Sequence, residues 1–124
     1  MGNDVSDEEK RTQAMNVNRI KLETYIPETH LQALRDALRE AGAGKIGNYD
    51  SCMSYCRVTG TWRSLEGANP HIGEVGTISE EEEIKAEVVM DAECAAKTVD
   101  AVRRVHPYEE PVIHLIPLLD LEAL

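Results

Sequence analysis

The sequence predicts a ferredoxin-like α+β fold, a βαββαβ sandwich in which an antiparallel four-stranded sheet carries two helices on one face. The first observation is the order of the hydrophobic patterns, which is strand, helix, strand, strand, helix, strand. Two split βαβ units in this order form one sheet when their crossovers are right-handed. The second observation is size, because 124 residues, 42% of them hydrophobic, provide one core and are too few for two.

The predicted domain begins with a strand. Residues 1–18 are polar, charged and aperiodic, which is typical of a flexible tail, and residues 19–124 form a single predicted domain. The segment "IKLETYI" alternates, with Ile20, Leu22 and Ile26 on one face. A period of two residues indicates a half-buried strand.

The first helix is predicted in "PETHLQALRDALREAGAG". Leu31, Leu34 and Leu38 recur at three- and four-residue spacing, so they line one helix face. Thr29 and Gln32 have the form of a capping box, and the glycines supply the positive φ that ends a helix. The glycines do not predict a phosphate-binding loop, because such a loop leads from a strand into a helix.

The next two strands are predicted on either side of a long loop. "IGNYDSCMSYCRV" indicates a strand with Tyr49, Met53 and Tyr55 at alternating positions. Residues 58–79 are rich in glycine and lack sustained periodicity, which predicts a hairpin-like excursion. The third strand is "EEIKAEVVM", whose apolar residues alternate, and the glutamates before it predict a solvated start.

The second helix is predicted in "DAECAAKTVDAVRRV". Asp91 is its expected cap, and Val99 and Val102 lie on its buried face. His106 and Pro107 end it, because proline disfavours helical backbone in the residue before it. "VIHLIPL" is the last predicted strand, and "LDLEAL" is a short tail after it.

Two helices cover only one face of such a sheet. The opposite face is expected to carry Tyr25, Tyr49, Met53 and Tyr55, or their alternates. An apolar sheet face of this kind indicates self-association.

Charge and composition exclude several classes of partner. Acidic residues outnumber basic ones by 23 to 13, giving a net charge of −10, and such a surface repels nucleic acid and anionic membranes. No stretch approaches the roughly 18 apolar residues of a membrane helix, and the N-terminus lacks the apolar core of a signal peptide. We therefore expect a cytoplasmic protein.

Three cysteines, Cys52, Cys56 and Cys94, form an odd set that does not predict a disulfide framework. Cys52 and Cys56 would lie about 13 Å apart on a strand. That separation is too large for a disulfide or a shared zinc ion. We expect small buried side chains, although one cysteine remains available to bind metal with ligands from elsewhere.

Three motifs, "AGAGKIGNYDSC", "GTWRSLEGANPHIGEVG" and "HPYEEP", resemble the insert domain of the YqfO-type (NGG-interacting factor three) family. The resemblance runs from about residue 21 to residue 118. "HPYE" before a proline-bounded strand also resembles CutA, the divalent-ion-tolerance protein. Both belong to the trimeric, ferredoxin-like group that includes the PII signal proteins. The resemblance implies a homotrimer with ligand clefts between subunits.

The resemblance does not extend to the dinuclear-metal domain of YqfO-type proteins, which nothing in this sequence matches. Hydrolase activity is therefore not implied for this chain. Within the motifs, Ser64 and His71 stand where the family pattern has proline and an aromatic residue.

The hexapeptide "HPYEEP" at residues 106–111 has two interpretations. As architecture, His106 and Pro107 end the helix and Tyr108 packs at a subunit boundary. As a site, His106 binds a divalent ion such as Cu or Zn with a following glutamate and a cysteine such as Cys52. The adjacent glutamates point to opposite sides of an extended chain and are not a catalytic pair. The architectural interpretation is the leading one, and the resemblance to CutA raises the metal interpretation, which stays open.

The leading hypothesis is a non-enzymatic binding or regulatory module that takes a divalent metal or a small metabolite at a trimer cleft. The lone tryptophan in the long loop is a typical anchor for a ligand or a subunit. The candidate ligand-binding residues are Tyr49, Trp62, Glu66, Asn69 and Glu110, and the candidate metal ligands are Cys52 and His106.

The sequence also allows two other classes of function. A purely structural oligomerisation domain that positions a partner protein fits the same fold. An enzyme fits less well, because the sequence lacks a nucleophile–base spacing, a complete metal triad and paired acids.

Overall fold

The computed structural model describes residues 17–124, so all but the last two residues of the predicted tail lie outside the described part. The elements within it are β1 (Arg19–Ile26), α1 (Leu31–Glu40), β2 (Ser54–Arg63), β3 (Ile78–Asp91), α2 (Ala95–Val105) and β4 (Ile113–Leu118). The strand order is β2-β3-β1-β4, and every neighbouring pair is antiparallel. This is the predicted ferredoxin-like order.

The core lies between one face of the sheet and the two helices. Alternate residues of β1 and β3 point toward the helices, as their two-residue period requires. The leucine face of α1 and the valine face of α2 pack against them. The largest buried apolar side chains of this core are Leu22, Ile26, Leu34, Ile84, Met90 and Val102.

The prediction that β2 begins at Ile46 is wrong. Ile46 and Tyr49 instead exchange backbone hydrogen bonds across a tight turn, in which Gly47 has a φ of 57°. Ser51 has the same positive φ, which is incompatible with an extended strand. The chain becomes extended only at Ser54 and continues to Arg63, so the loop that follows covers residues 64–77.

Both helices begin with a short 3₁₀ turn rather than with the predicted side-chain caps. The Thr29 hydroxyl lies 2.9 Å from His30 Nδ1 and not on a helix amide, so the capping box is absent. Asp91 accepts a hydrogen bond of 2.7 Å from Arg19 instead of capping α2. The predicted stop is confirmed, because His106 is extended, with a ψ of 127°.

The prediction that the uncovered sheet face is apolar is wrong at its centre. Lys21 and Lys85 alternate there with Glu23 and Glu87, with N–O distances from 2.9 Å to 3.8 Å. His114 lies 3.7 Å from the same Glu23 carboxylate. Opposite charges across neighbouring strands satisfy one another, so this face does not require an apolar cover.

The four aromatic and apolar residues predicted for that face lie in different places. Tyr25 is on it, with its ring 6.3 Å from His114. Tyr49 is in the tight turn and is 75% exposed. Met53 packs against the core, and Tyr55 pairs with Ala86 on the helix side of the sheet.

Strand β3 extends beyond the end of its neighbour β1. It pairs with β1 only from Ile84 to Asp91, whereas it pairs with β2 from Ile78 to Glu87. Residues 78–83 and their partners 58–63 therefore form a two-stranded ribbon beyond the end of β1. Within the described residues, no helix is long and apolar enough to cross a membrane.

Candidate functional site

A cavity of about 480 Å³ lies on the uncovered face of the sheet, where the ribbon begins. Its walls come from the end of β1, the ribbon, the 64–77 loop and the 106–112 connection. Apolar atoms form most of the lining. Four ring-bearing side chains and four charged side chains complete it. The ring-bearing residues are Tyr25, Trp62, His71 and Tyr108, and the charged ones are Arg63, Glu83, Glu109 and Glu110.

A tyrosine and a buried glutamate form the polar centre of the cavity. The Tyr108 hydroxyl donates a hydrogen bond of 2.8 Å to Oε1 of Glu83, which is only 9% exposed. Burial raises the pKa of Tyr108, and the hydrogen bond to Glu83 and its negative charge raise this pKa further. The hydroxyl therefore stays protonated and acts as a donor.

Gly60 provides the space that Glu83 occupies. A Cβ atom built on Gly60 would overlap the Glu83 carboxyl group. The carboxyl group can therefore lie flat against strand β2 only because this position has no side chain. A glycine inside a strand is thus part of the site.

The 64–77 loop is attached to the cavity at two points. The Trp62 indole donates a hydrogen bond of 3.2 Å to the carbonyl of Ile72. The backbone amide of Asn69 donates to the Glu109 carboxylate, which connects the loop to the hexapeptide. The ring centroid of Tyr108 lies 6.4 Å from that of Trp62 and 6.1 Å from that of His71.

His106 holds the connection in place from below the cavity. Its Nδ1 accepts a hydrogen bond of 3.2 Å from the Tyr108 amide, so the proton is on Nε2, which donates to the Tyr25 carbonyl at 2.7 Å. Burial lowers the pKa of His106, in favour of the neutral ring. Both ring nitrogens are occupied, and the residue positions Tyr108.

The structure brings three of the predicted site residues to the cavity. Trp62 and Glu110 line it, and Asn69 contacts its rim through Glu109. Glu66 is exposed in the same loop and is not part of the lining. Tyr49 lies in the tight turn before β2.

The two predicted metal ligands have other partners. Cys52 donates its thiol to the Asp50 carbonyl at 3.7 Å, and His106 has the two hydrogen bonds described above. All three cysteines are free thiols. Among residues 17–124, no group of three or more His, Cys, Asp or Glu side chains is close enough to hold a metal ion. The metal site stays a prediction that this geometry does not favour.

Sequence reasoning missed Glu83 and assigned Tyr108 only to packing. Glu83 is the last of four consecutive glutamates, a pattern typical of a solvated segment. The available signal was Gly60, because a glycine within a strand indicates a close approach by another group. The burial itself depends on the loop and the connection folding over the ribbon.

The comparisons with known sequences show similarity to one segment of longer proteins. No protein-family model matches this chain. A protein of Halalkalibacterium halodurans named "GTP cyclohydrolase 1 type 2 homolog" is 44% identical over 98 residues, 79% of this chain and 26% of that protein. A protein of the same name from Bacillus subtilis is 36% identical over 98 residues, with the same shares. The chain spans about a quarter of the length of these relatives.

Solved structures share the fold. A Bacillus cereus protein related to NIF3 superposes with a TM-score of 0.73 and 30% identity, over 88% of this chain and 31% of that one. CutA of Pyrococcus horikoshii superposes with a TM-score of 0.62 and 17% identity, over 82% of this chain and 86% of that one. The second likeness shows the fold alone, which is CutA-like and ferredoxin-like.

Proposed function

We propose that this chain is a cytoplasmic, non-enzymatic binding or regulatory module of the NIF3-related, YqfO-type family. Its site is the cavity between the ribbon and the 106–112 connection, and it recognises a small metabolite there. The observation that carries the proposal is the Glu83–Tyr108 pair, a buried carboxylate and its donor facing an aromatic-walled space of about 480 Å³. Apolar cavities with few, well-placed polar groups are typical of ligand sites.

The comparisons support the family and the modular character separately. The similarity to the curated relatives covers 79% of this chain and only a quarter of theirs, so it falls on one domain-sized segment. CutA of Pyrococcus horikoshii is covered over 86% of its length, so the same fold forms nearly the whole of that protein. The matching segment therefore corresponds to one complete unit of this fold.

The residues of the cavity support binding rather than turnover. The relatives carry the name of a cyclohydrolase homologue, and this chain spans about a quarter of them. Tyr108 is held protonated, and both nitrogens of the nearby His106 are engaged, so neither is available as a general base. A carboxylate with a tyrosine donor can orient a ligand without reacting with it.

We further propose a homotrimer, as the resemblance to the CutA and PII group implies. Strands β2 and β4 are the two edges of the sheet, and each has a row of backbone groups available for pairing. Beside β4, Val112, Leu115 and Ile116 are between 38% and 46% exposed. Pairing at this edge would cover them and place the cavity at a subunit boundary.

A second candidate function is a structural oligomerisation domain that positions a partner protein. The observation that favours it is the apolar C-terminal segment, in which Leu119, Leu121 and Leu124 are 84%, 77% and 90% exposed. Exposed leucines in one short segment suit docking to a protein surface.

Binding by the intact chain tests the proposal. A panel of organic amines, carboxylates and phosphates is titrated while the emission of Trp62 and the unfolding temperature are followed. We expect one chemical class to change both, because a ligand at a hundred times its Kd stabilises the folded state by about 2.7 kcal/mol. A folded oligomer that responds to no class would contradict the proposal and leave the structural candidate.

The metal hypothesis is tested in parallel by calorimetry. The metal-stripped protein and His106→Ala are titrated with Cu²⁺, Zn²⁺ and Co²⁺. Micromolar binding that is lost in the variant would mean that the ligand is a metal ion and not a metabolite. Because both nitrogens of His106 have protein partners, we expect the two titrations to be alike.

A further inference from the structure

Among residues 17–124, the Glu83 carboxylate has one hydrogen-bond donor, the Tyr108 hydroxyl, and Glu83 lines the cavity. Oε1 accepts the Tyr108 hydroxyl, and Oε2 is the atom nearest to the empty side-chain position of Gly60. Within residues 17–124, no lysine, arginine or histidine forms an ion pair with Glu83. A carboxylate that is nine-tenths buried requires a cation or further donors to offset its lost hydration.

The charges around the cavity favour a positive occupant. Three carboxylates line it, those of Glu83, Glu109 and Glu110, and one guanidinium group, that of Arg63. Arg63 is exposed at the rim and forms no ion pair with the described residues. The chain as a whole has a net charge of −10, so long-range attraction acts in the same direction.

Aromatic rings complete the arrangement. Trp62 and Tyr108 form adjacent walls, with ring centroids 6.4 Å apart and planes tilted by 39°. Tyr25 contributes a third ring to the lining. The faces of such rings attract cations within about 6 Å, and tryptophan does so best.

We propose that the cavity binds an organic cation, an ammonium, guanidinium or amidinium group. The cation pairs with the free oxygen of Glu83 and lies against the rings of Trp62 and Tyr108. This inference rests on the proposed binding function and names the chemistry of its ligand. The cation belongs to a free small molecule or to a lysine or arginine side chain of a second copy of this chain.

Three ligands of similar shape test whether the cavity prefers a positive charge. Benzamidine, benzamide and benzoate share a ring and carry positive, zero and negative charge. Trp62 is the only tryptophan of the chain, so its emission reports on this cavity. We expect benzamidine to bind at least tenfold more tightly than benzamide, and benzoate to bind most weakly, because a charged hydrogen bond adds to ring stacking.

Matched variants locate the charge. Glu83→Gln keeps the shape and the acceptor for Tyr108, and we expect it to weaken benzamidine about tenfold or more. Glu93→Gln changes the same charge at an exposed position before α2, and we expect it to leave all three affinities unchanged. Arg63→Gln removes the one cation of the lining, and we expect benzamidine to bind severalfold more tightly.

The mass of the oligomer distinguishes the two sources of the cation. If saturating benzamidine separates the subunits, the natural cation is a side chain of a second copy. If benzamidine binds without a change in mass, the natural cation is a free molecule. Either result supports the cation site, and the first replaces the small metabolite of the proposed function by a second copy of the chain.

The organic cation can be wrong while the proposed binding function is right, and the outcomes distinguish the two. Equal affinities for benzamidine and benzamide overturn the cation, as does a folded Glu83→Gln variant with wild-type affinity. No response to benzamidine overturns it as well, and Arg63→Gln provides a second test if Glu83→Gln does not fold. If benzoate or phosphates bind and benzamidine does not, the proposal of a cationic ligand is wrong, and the proposed binding function is retained.

Discussion

At the scale of single residues, His106 uses both ring nitrogens to hold the backbone beside the cavity. Its two nitrogens join the end of β1 to the hexapeptide through the Tyr25 carbonyl and the Tyr108 amide. This requires the neutral ring, with its proton on Nε2. The position of Tyr108, and therefore of the Glu83 pair, depends on the protonation state of one buried imidazole.

The pH dependence of stability follows from that neutral ring. Burial lowers the pKa of His106 in the folded state below its ordinary value of 6.5, so the unfolded chain binds more protons near and below that pH. We expect the free energy of unfolding to fall as the pH decreases from 7.5 to 5.5. Urea titrations at both pH values measure it.

His106→Gln provides the comparison for this prediction. Glutamine can donate to the Tyr25 carbonyl but does not titrate, so the loss of stability between the two pH values should become smaller. An unchanged pH dependence in His106→Gln would assign the effect to other groups.

The candidate site could be predicted from the sequence only in part. Trp62 and Glu110 are recognisable because an isolated tryptophan in a predicted loop and an acid in a resembling motif both indicate a site, although the structure places Trp62 on β2. Glu83 is not recognisable, because alternation along a strand distinguishes two faces and does not report what folds over one of them. Tyr49 stays a predicted site residue, but its alternation with Met53 is not that of a strand, because the backbone turns at Ser51.

At the scale of elements, the segment before β2 decides where the sheet begins. Gly44 has a φ of +77°, and its amide and carbonyl bond to Val89 and Cys52. This fixes residues 44–52 against β3 without extending the sheet. The tight turn between Ile46 and Tyr49 then projects from the surface.

Two glycines in this segment allow a matched test. A Cβ atom on Gly44 would lie 2.8 Å from the Cys52 carbonyl oxygen and 3.1 Å from Val88, whereas a Cβ atom on Gly47 would meet nothing within 4 Å. We expect Gly44→Ala to lower the free energy of unfolding by about 3 kcal/mol. Gly47→Ala should lower it by about 1 kcal/mol, because only the positive φ is penalised.

Urea unfolding of both variants measures the difference. Equal losses of stability would mean that the backbone at Gly44 moves freely away from Cys52. The packing described for this segment would then be incorrect.

The elements themselves followed from their periods wherever one face of an element is buried. β1 and α1 were predicted because Leu22 and Ile26, and Leu34 and Leu38, repeat at the spacing of a strand and of a helix. The start of β2 was not, because the backbone of Ser51 turns to positive φ without a glycine to indicate it. The predicted helix caps are absent, because the side chains of Thr29 and Asp91 form hydrogen bonds with other side chains and not with helix amides.

At the scale of the whole molecule, the two sides of the sheet differ in what they can join. The helix side is filled by its own core, and the centre of the other side is neutralised by alternating lysines and glutamates. The edge at β4, where apolar side chains are exposed, is the surface through which we propose that subunits associate.

Ile116→Glu tests that edge. Ile116 is 38% exposed and pairs with Lys21, so the new carboxylate has a favourable neighbour within the subunit. We expect the fold to be retained and association to weaken at least tenfold, because a charge would be buried at the subunit boundary. Light scattering over a range of concentrations measures the mass.

Ile46→Glu is the control, at an exposed isoleucine of the tight turn before β2. It should keep the wild-type mass. If Ile116→Glu also keeps that mass, β4 is not the edge through which subunits associate.

Because β3 extends beyond the end of β1, its two halves differ in how easily their backbone hydrogen bonds break. From Ile84 to Glu87, β3 has a partner strand on both sides, whereas residues 78–83 have a partner on one side only. Amide hydrogens in the first segment exchange with solvent only when the sheet separates, and those of the ribbon exchange through smaller, less costly fluctuations. Trp62 and Glu83 both lie on the ribbon, so one wall of the cavity belongs to the least protected part of the sheet. An occupant that joins this wall to the 106–112 connection would slow deuterium uptake in the ribbon and leave the centre of the sheet unchanged.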